Sequence, residues 1–153
     1  MKILFVCLGN ICRSPMAEFV MKDMVRKAEP AGNFEIASAA TSREEIGNPV
    51  YPPAREKLRE HGISCEGKCA RQMNPEDYGK YDLLIGMEQR NLRDMQRICG
   101  GDPEKKMHLL MEFAGQKKDI ADPWYTGDFE TTWQQVERGC RGLLGYCTGQ
   151  TQE

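Results

Sequence analysis

The sequence lacks long hydrophobic runs and shows no excess of either charge. No apolar stretch approaches the roughly 18 residues that a membrane-spanning helix needs, so the pattern predicts no transmembrane segment. The net charge is −2 and the pI is about 5.8, with acidic and basic residues mixed along the chain. Such a composition predicts no surface for nucleic acid or for an anionic membrane. The apolar run after Met1 is too short for a signal peptide, and we therefore expect a cytoplasmic protein.

Histidine is scarce as well. The two histidines, His61 and His108, stand far apart in the sequence, which argues against a zinc site. The chain has seven cysteines, an odd number without an export signal, so a disulfide scaffold is also disfavoured. Cys65 and Cys69 form a C-x3-C pair with no second pair, and the pattern gives them no role. We expect neither a metal ion nor another cofactor.

The N-terminal stretch is the part of the sequence that points to a chemistry. Residues 3–6 form a short apolar run, typical of a strand buried on both faces of a parallel sheet. Ser14 as N-cap and Pro15 as first helical residue predict a helix that follows and ends near Ala28. The loop between strand and helix closes onto the helix N-terminus, where unpaired N–H groups and the helix dipole favour an anion of phosphate size.

The residues of this loop suit such an anion. Gly9 and Asn10 tolerate left-handed backbone conformations, and Arg13 offers a planar fork of donors for two oxygens. Cys7 stands at the floor of the loop, where the donors that bind a phosphate also stabilise a thiolate. The pattern therefore predicts Cys7 as a nucleophile in line for attack on phosphorus.

Predicted strands alternate with predicted helices along the rest of the chain. The strands are expected at residues 3–6, 34–38, 81–87 and 106–110, the last one at a sheet edge. Caps and helical spacing predict helices that begin at Pro15, Pro53, Asn74, Glu88 and Asp128. This alternation predicts an α/β fold in three layers, a four-stranded parallel sheet with helices on both faces. We expect residues 1–153 to form a single domain, with a flexible tail from about residue 148.

Two segments far apart in the sequence carry a resemblance to a known family. Residues 7–14 read Cys-x5-Arg-Ser at the extreme N-terminus, and residues 122–125 read Asp-Pro-Trp-Tyr. Further matches follow in the family's order at residues 38–42, 46–49, 61–63, 70–72 and 91–94. Over nearly its whole length the chain resembles a low-molecular-weight protein tyrosine phosphatase. The resemblance implies a phosphotyrosine phosphatase I-like, Rossmann-like fold, a phosphotyrosine protein or peptide as substrate and inorganic phosphate as product. We expect a monomer or a weak homodimer.

The resemblance also assigns roles to residues of the site. Cys7 is implied as the nucleophile that forms a phosphocysteine, Arg13 as the clamp on the phosphate, and Asp122 as general acid and then base. An Asp-Pro pair alone is a common turn, but its place downstream of the Cys-x5-Arg loop favours Asp122 over its nearest competitor, Asp119. The residues expected to bind the substrate are Leu8, Gly9, Asn10, Ile11, Cys12, Ser14, Ser38, Trp124 and Tyr125.

Two departures from the family concern the walls of the cleft. The family usually has two tyrosines where this chain has Trp124 and Tyr125, so we expect an aromatic slot with an altered substrate preference. The family often carries an aromatic residue in the loop 42–53, but here Arg43, Glu44 or Glu45 fills that place. One wall of the cleft is therefore predicted to be charged.

Three smaller expectations rest on the same resemblance. Ser38 is placed beside the phosphate loop, where its hydroxyl can bond to loop groups together with Asn10 and Ser14. Cys12 is expected to form a reversible disulfide with Cys7 that protects the thiolate from further oxidation. Ile11 favours phosphotyrosine, because the protein-arginine phosphatase branch usually has threonine at that place.

Other functions remain open at this stage. A protein-arginine phosphatase and a thiol-dependent arsenate reductase share the fold, and Cys65 and Cys69 resemble the extra cysteines that a reductase needs. A phosphocarrier that holds phosphate on cysteine needs neither Arg13 nor an acid. A catalytically inactive anion-binding module is disfavoured because Cys7, Arg13 and Asp122 are all present.

Overall fold

The computed structural model describes residues 1–28 and 32–149. Its elements in chain order are β1 (Lys2–Cys7), α1 (Arg13–Ala28), β2 (Glu35–Ala40), α2 (Pro52–Glu60), α3 (Asp77–Lys80), β3 (Leu83–Gly86), α4 (Gln89–Cys99), β4 (Met107–Leu109), a 3-10 turn (Leu110–Ala114), α5 (Pro123–Thr126) and α6 (Phe129–Thr148).

The four strands form one parallel sheet in the order β2-β1-β3-β4. β1 lies in the interior of the sheet, and β4 lies at an edge, as the sequence predicted. The α/β fold class is therefore confirmed. Because ligands of parallel sheets bind beyond the carboxyl ends of the strands, Cys7 at the end of β1 lies at the edge where a site is expected.

β1 supplies side chains to both hydrophobic layers. Ile3 and Phe5 are fully buried in one layer, with the apolar faces of α1, α2 and α6. Leu4 and Val6 are fully buried in the other layer, with Met95 of α4. Successive residues of a strand point to opposite faces, so this short apolar run fills two cores at once. The rigid central strand fixes the position of Cys7.

Helix α6 approaches the 3-10 turn unusually closely, through two glycines. A Cβ atom on Gly142 would lie 1.9 Å from the carbonyl oxygen of Phe113, and one on Gly139 would lie 2.5 Å from Leu110 Cγ. Neither glycine needs its conformational freedom here, since both lie within a regular helix. Their lack of a side chain is what allows the two backbones to meet.

Several predicted boundaries were wrong by a few residues. α1 begins at Arg13, so Ser14 lies inside the first turn and its hydroxyl is not an N-cap. β2 runs to Ala40, two residues beyond the predicted end, because Ala39 and Ala40 continue the pairing with β1. β3 is shorter than predicted at both ends.

Three further boundaries concern helices. α2 begins one residue before the predicted Pro53, and α4 one residue after the predicted Glu88, which caps it. The helix predicted at Asn74 begins only at Asp77, because Asn74 and Asp77 bond to each other's backbone N–H and form a turn first.

The C-terminal helix begins at Phe129, one residue after the predicted Asp128. Asp128 caps its N-terminus by accepting a hydrogen bond from Thr131 N at 3.0 Å, and Gly149 ends it with a φ of 77°. Most of the tail predicted from about residue 148, namely residues 150–153, lies outside the described residues. In the part of the chain that is described, no helix is both long and apolar enough to cross a membrane.

Candidate active site

The loop between β1 and α1 is fixed by backbone hydrogen bonds to neighbouring segments. The carbonyl oxygens of Cys7 and Leu8 accept from the N–H groups of Thr41 and Ser42, at 3.0 and 3.1 Å. The carbonyl oxygen of Ile11 accepts from the residue before α2 at 2.9 Å. Asn10 holds a left-handed conformation with a φ of 59°, as the sequence predicted. The loop is thus held in its conformation by the segment after β2 and by the segment before α2.

The sulfur of Cys7 is buried and lies among hydrogen-bond donors. Its Sγ is 3.0 Å from Ser14 Oγ and accepts from the backbone N–H of Asn10 at 3.3 Å. Ser14 Oγ in turn accepts from Asn10 Nδ2 at 2.8 Å, which leaves its own proton free to point at the sulfur. Both contacts stabilise a negative charge on Cys7.

A buried polar chain extends behind the loop. Asn10 Nδ2 also donates to Ser38 Oγ at 2.9 Å, and Ser38 Oγ donates to the carboxylate of Glu18 at 2.5 Å. Asn10 Oδ1 accepts from Arg71 N at 3.2 Å, so the side chain of Asn10 is bonded at both its nitrogen and its oxygen. Ser38 lies beside the loop as predicted from the resemblance. Together these bonds orient Asn10, and through it Ser14, toward Cys7.

Sequence reasoning missed the far end of this chain. Glu18 is 4% exposed and pairs with Lys68, whose Nζ lies 3.4 Å from Glu18 Oε1 and donates to the carbonyl oxygen of Ser38 at 2.9 Å. Burial lowers the pKa of Lys68, and the charge of Glu18 opposes that effect only in part. The one available signal was the charge of Glu18 at a position in α1 that follows the buried apolar residues Met16 and Ala17.

Arg13 is a fully buried cation with several acceptors around it. Its Nη1 donates to the carbonyl oxygen of Ile120 at 2.9 Å, and its Nη2 lies 3.5 Å from Glu88 Oε1 and 3.3 Å from Asp122 Oδ2. Burial alone lowers the pKa of Arg13, but the negative charges of Cys7, Asp122 and Glu88 outweigh it and raise this pKa. The guanidinium is therefore a permanent positive charge beneath the cleft.

Asp122 reaches the same point from the loop before α5. Its Oδ1 accepts from Trp124 N at 3.0 Å and caps α5, while its Oδ2 faces Arg13. Its competitor Asp119 accepts from Gln89 N at 3.0 Å and so serves the start of α4. Of the two carboxylates, only Asp122 lines the cleft that contains Cys7.

The cleft gathers most of the predicted site residues. It holds about 70 Å³ at the loop and is lined by all of them except Asn10, Ser14 and Ser38, which lie behind the loop. A volume of this size is on the scale of a phosphate group and not of a whole substrate. In residues 1–28 and 32–149, no group of three or more histidine, cysteine, aspartate or glutamate side chains is placed to hold a metal ion.

Comparison with known proteins decides the family. The family model for low molecular weight phosphotyrosine protein phosphatases matches residues 2–153. The chain belongs to this family. It is a tyrosine phosphatase enzyme of the low molecular weight class, which confirms the resemblance seen in the sequence.

Relatives cover almost the whole chain. The low molecular weight protein-tyrosine-phosphatase YfkJ of Bacillus subtilis is 38% identical over 144 residues, 93% of this chain and 92% of the relative. Its crystal structure superposes with a TM-score of 0.94 over 99% of this chain and 97% of that one. The human low molecular weight phosphotyrosine protein phosphatase is 42% identical over 147 residues, 93% of this chain and 92% of the relative. An arginine phosphatase structure from Drosophila is 28% identical, with a TM-score of 0.88 over 96% of this chain and 98% of that one.

The walls of the phosphatase cleft combine aromatic and acidic side chains. Trp124 and Tyr125 are 51% and 77% exposed, so both rings are available to a ligand. Trp124 lies against Tyr51, with ring centroids 4.7 Å apart and planes tilted by 54°. Tyr51 was missed because it lies in the loop before α2, where nothing in the sequence marks it as a neighbour of Trp124. Glu44 and Glu45 line the same cleft, so the predicted charged wall is present.

Cys12 lies in the same loop as Cys7 and is buried. Burial raises the pKa of Cys12, and the negative charges of Cys7 and Asp122 raise it further, so Cys12 stays a neutral thiol. All seven cysteines are free in the structure. The Cys7–Cys12 disulfide stays a prediction.

Proposed function

We propose that this phosphatase hydrolyses phosphotyrosine by two displacements through a phosphocysteine on Cys7. The observation that supports it most directly is the convergence of three groups on one small cleft. Cys7 forms its floor, the buried guanidinium of Arg13 lies beneath it, and the carboxyl group of Asp122 lies 3.3 Å from that guanidinium. A nucleophile, a cation and an acid at these places suit the cleavage of a phosphate ester.

In the first step, the thiolate of Cys7 attacks phosphorus, and the bond from phosphorus to the phenolic oxygen breaks. Arg13 and the backbone N–H groups of the loop hold the equatorial oxygens, where charge develops. Asp122 gives its proton to the leaving phenolic oxygen. Because Asp122 pairs with Arg13 as a carboxylate in the free enzyme, the arriving phosphate takes over that contact, and the released carboxylate takes up a proton from solvent beside the negative phosphate before it acts as the acid.

In the second step, water attacks the phosphocysteine. The sulfur–phosphorus bond breaks, Cys7 returns to the thiolate, and Asp122 takes a proton from the water. Inorganic phosphate leaves the loop. Ser14 and the N–H of Asn10, at 3.0 and 3.3 Å from the sulfur, stabilise the thiolate as it leaves.

The substrate preference rests on the walls and on Ile11. The exposed rings of Trp124 and Tyr125 offer faces for a phenyl ring, and Ile11 lines the cleft in place of the threonine expected for a protein-arginine phosphatase. Phosphoarginine is the second candidate substrate, because the Drosophila arginine phosphatase has a similar structure. We further propose a cytoplasmic enzyme that acts as a monomer or a weak homodimer without a metal ion.

The test is steady-state hydrolysis of phosphotyrosine, phosphoserine and phosphoarginine peptides in the presence of a chelator. Wild type should turn over phosphotyrosine, and Cys7→Ser should lose at least about a thousandfold in kcat while it still binds phosphate esters. Cys69→Ser is the matched control, since Cys69 is exposed outside the cleft and should keep wild-type rates. Near-normal turnover by Cys7→Ser would refute the mechanism, and preference for phosphoarginine would favour the second substrate.

A further inference from the structure

The catalytic cleft continues into a groove that the proposed reaction does not use. A second depression of about 330 Å³ adjoins the cleft and shares Ile11, Glu45 and Trp124 with it. A third depression, of about 480 Å³, shares Pro49, Val50 and Arg55 with the second. The three depressions form a series from Cys7, past the aromatic wall, to the loop at residues 62–68. We call the second and third depressions the side groove.

The charges that a ligand meets between the cleft and Arg55 are ordered, whereas Arg59, Glu66 and Lys68 line only the third depression. Glu45 lines both the catalytic cleft and the second depression, and it accepts a hydrogen bond from Asn48 Nδ2 at 2.6 Å. Arg55 lines the second and third depressions but not the catalytic cleft. A ligand that extends outward from the cleft therefore meets a negative charge first and a positive charge further out.

Arg55 differs from the other cations of the side groove because its side chain is not bonded to another residue among those that the structure describes. Arg59 donates to Glu56 through Nε at 2.9 Å and through Nη2 at 2.5 Å. Lys68 is bonded to the buried network behind the loop. Within residues 1–28 and 32–149, the exposed side chain of Arg55 makes no ion pair or hydrogen bond. Its planar fork is free to receive a carboxylate.

We propose that the side groove binds the polypeptide on one side of the phosphotyrosine, and that Arg55 selects substrates with an acidic residue a few positions away. The proposal rests on the proposed function. An extended peptide advances about 3.3 Å per residue, so a chain anchored by its phosphate at Cys7 passes Glu45 before it reaches Arg55. Beyond Arg55, Ile63 offers an apolar surface to the next side chain.

The order of charges makes the proposal specific. An acidic residue directly beside the phosphotyrosine faces Glu45 and gains nothing, whereas one further out pairs with Arg55. An exposed pair of this kind changes kcat/KM by about two- to fivefold. Because the pair forms in the ground state and persists in the transition state, the change should appear in KM and leave kcat unaltered.

The experiment uses phosphotyrosine peptides that carry one glutamate, or one glutamine, at each of the four positions on either side. Wild type should prefer glutamate at one outer position on one side. Arg55→Glu should reverse that preference, and Arg55→Lys should keep most of it. Arg97→Glu is the matched control, since it changes the net charge equally on α4, where Arg97 pairs with Asp94. All variants should hydrolyse p-nitrophenyl phosphate at the wild-type rate.

The outcomes separate this proposal from the proposed function. Equal rates for glutamate and glutamine at every position would overturn the role of Arg55 while phosphotyrosine hydrolysis stood. The same preference in Arg55→Glu as in wild type, or an equal shift in Arg97→Glu, would also overturn it. If kcat/KM depended on enzyme concentration and not on peptide sequence, the side groove would be assigned to a second copy of the chain, and the proposal would be overturned. Failure to hydrolyse any phosphotyrosine peptide would overturn both proposals.

Discussion

Replacement of Asp122 by asparagine tests the proposed acid directly. The change removes the proton and the charge but keeps the shape of the side chain. The amide oxygen of asparagine can still accept the hydrogen bond from Trp124 N that caps α5, so the loop should hold its conformation. What is lost is the 3.3 Å pairing of Asp122 with Arg13 and the ability to protonate a leaving group.

The size of the effect follows from the two roles. General acid catalysis contributes about 10²- to 10⁴-fold, or about 2.7 to 5.4 kcal/mol of barrier, and this should be lost for phosphotyrosine, whose phenol is a poor leaving group. Substrate binding should not weaken, because Asp122 competes with the phosphate for Arg13 in the free enzyme. Glu88, 3.5 Å from Arg13, still balances that buried charge. The loss should therefore fall on kcat and not raise KM.

The assay compares kcat/KM for a phosphotyrosine peptide with that for an aryl phosphate whose leaving group needs no proton. Since kcat/KM reports the first displacement, Asp122→Asn should lose about 10²- to 10⁴-fold on the peptide and less than about tenfold on the activated ester. Rapid mixing with the activated ester should show a burst of phenol, because the second step lacks its base. Asp119→Asn is the matched control and should keep wild-type values. Equal losses on both substrates, or equal losses in the two variants, would refute the assignment of Asp122.

Two predictions concern stability. Gly142→Ala gains about 1 kcal/mol of helix propensity but places a Cβ 1.9 Å from the Phe113 carbonyl oxygen, so the free energy of unfolding measured by urea titration should fall by about 1–3 kcal/mol. The control is Gly79→Ala, which has open space around it and should be neutral or stabilising. Equal effects of the two changes would contradict the close packing at Gly142. Burial alone raises the pKa of Asp102, but bonds from Tyr78 and two backbone N–H groups outweigh it and lower this pKa. Asp102 therefore stabilises the fold above its unfolded pKa of about 3.9, and this is lost as the pH falls through the lower folded value. Asp102→Asn should flatten the dependence of unfolding free energy on pH below about 5, and an unchanged slope would contradict the hydrogen-bond explanation.

The parts of the fold that local sequence determines could be predicted. These parts lie within a few residues of one another, so a local pattern predicts them. They are the apolar run of β1, the glycine and asparagine of the loop, and the start of α1. Some boundaries failed where a side chain makes a contact other than the one that its local pattern suggests. Ser14 was predicted to be an N-cap, yet its hydroxyl lies 3.0 Å from Cys7 Sγ, and the helix begins at Arg13, two residues before the predicted Pro15.

The site divides in the same way between local and distant residues. Cys7 and Arg13 could be predicted from the sequence because both belong to one short loop. The places of Glu18, Lys68 and Tyr51, and the pairing of Glu88 with Arg13, depend on contacts between distant parts of the chain. Glu18, Lys68 and Tyr51 belong to no pattern that the sequence shows.

The buried network behind the loop explains why the charged residue Glu18 can occupy a buried position. A lone carboxylate at the 4% exposure of Glu18 is costly, and its pairing with Lys22 at 2.6 Å and with Lys68 at 3.4 Å compensates only where the remaining lone pairs are also bonded. Here Glu18 accepts from Ser38 at 2.5 Å, and Ser38 accepts from Asn10, so the charge polarises a chain of donors that ends at Cys7. An apolar residue in place of Glu18 could fill the same space but would leave Ser38 free to turn. The position of the nucleophile is therefore encoded locally, while the orientation of the donors around it depends on contacts between distant parts of the chain.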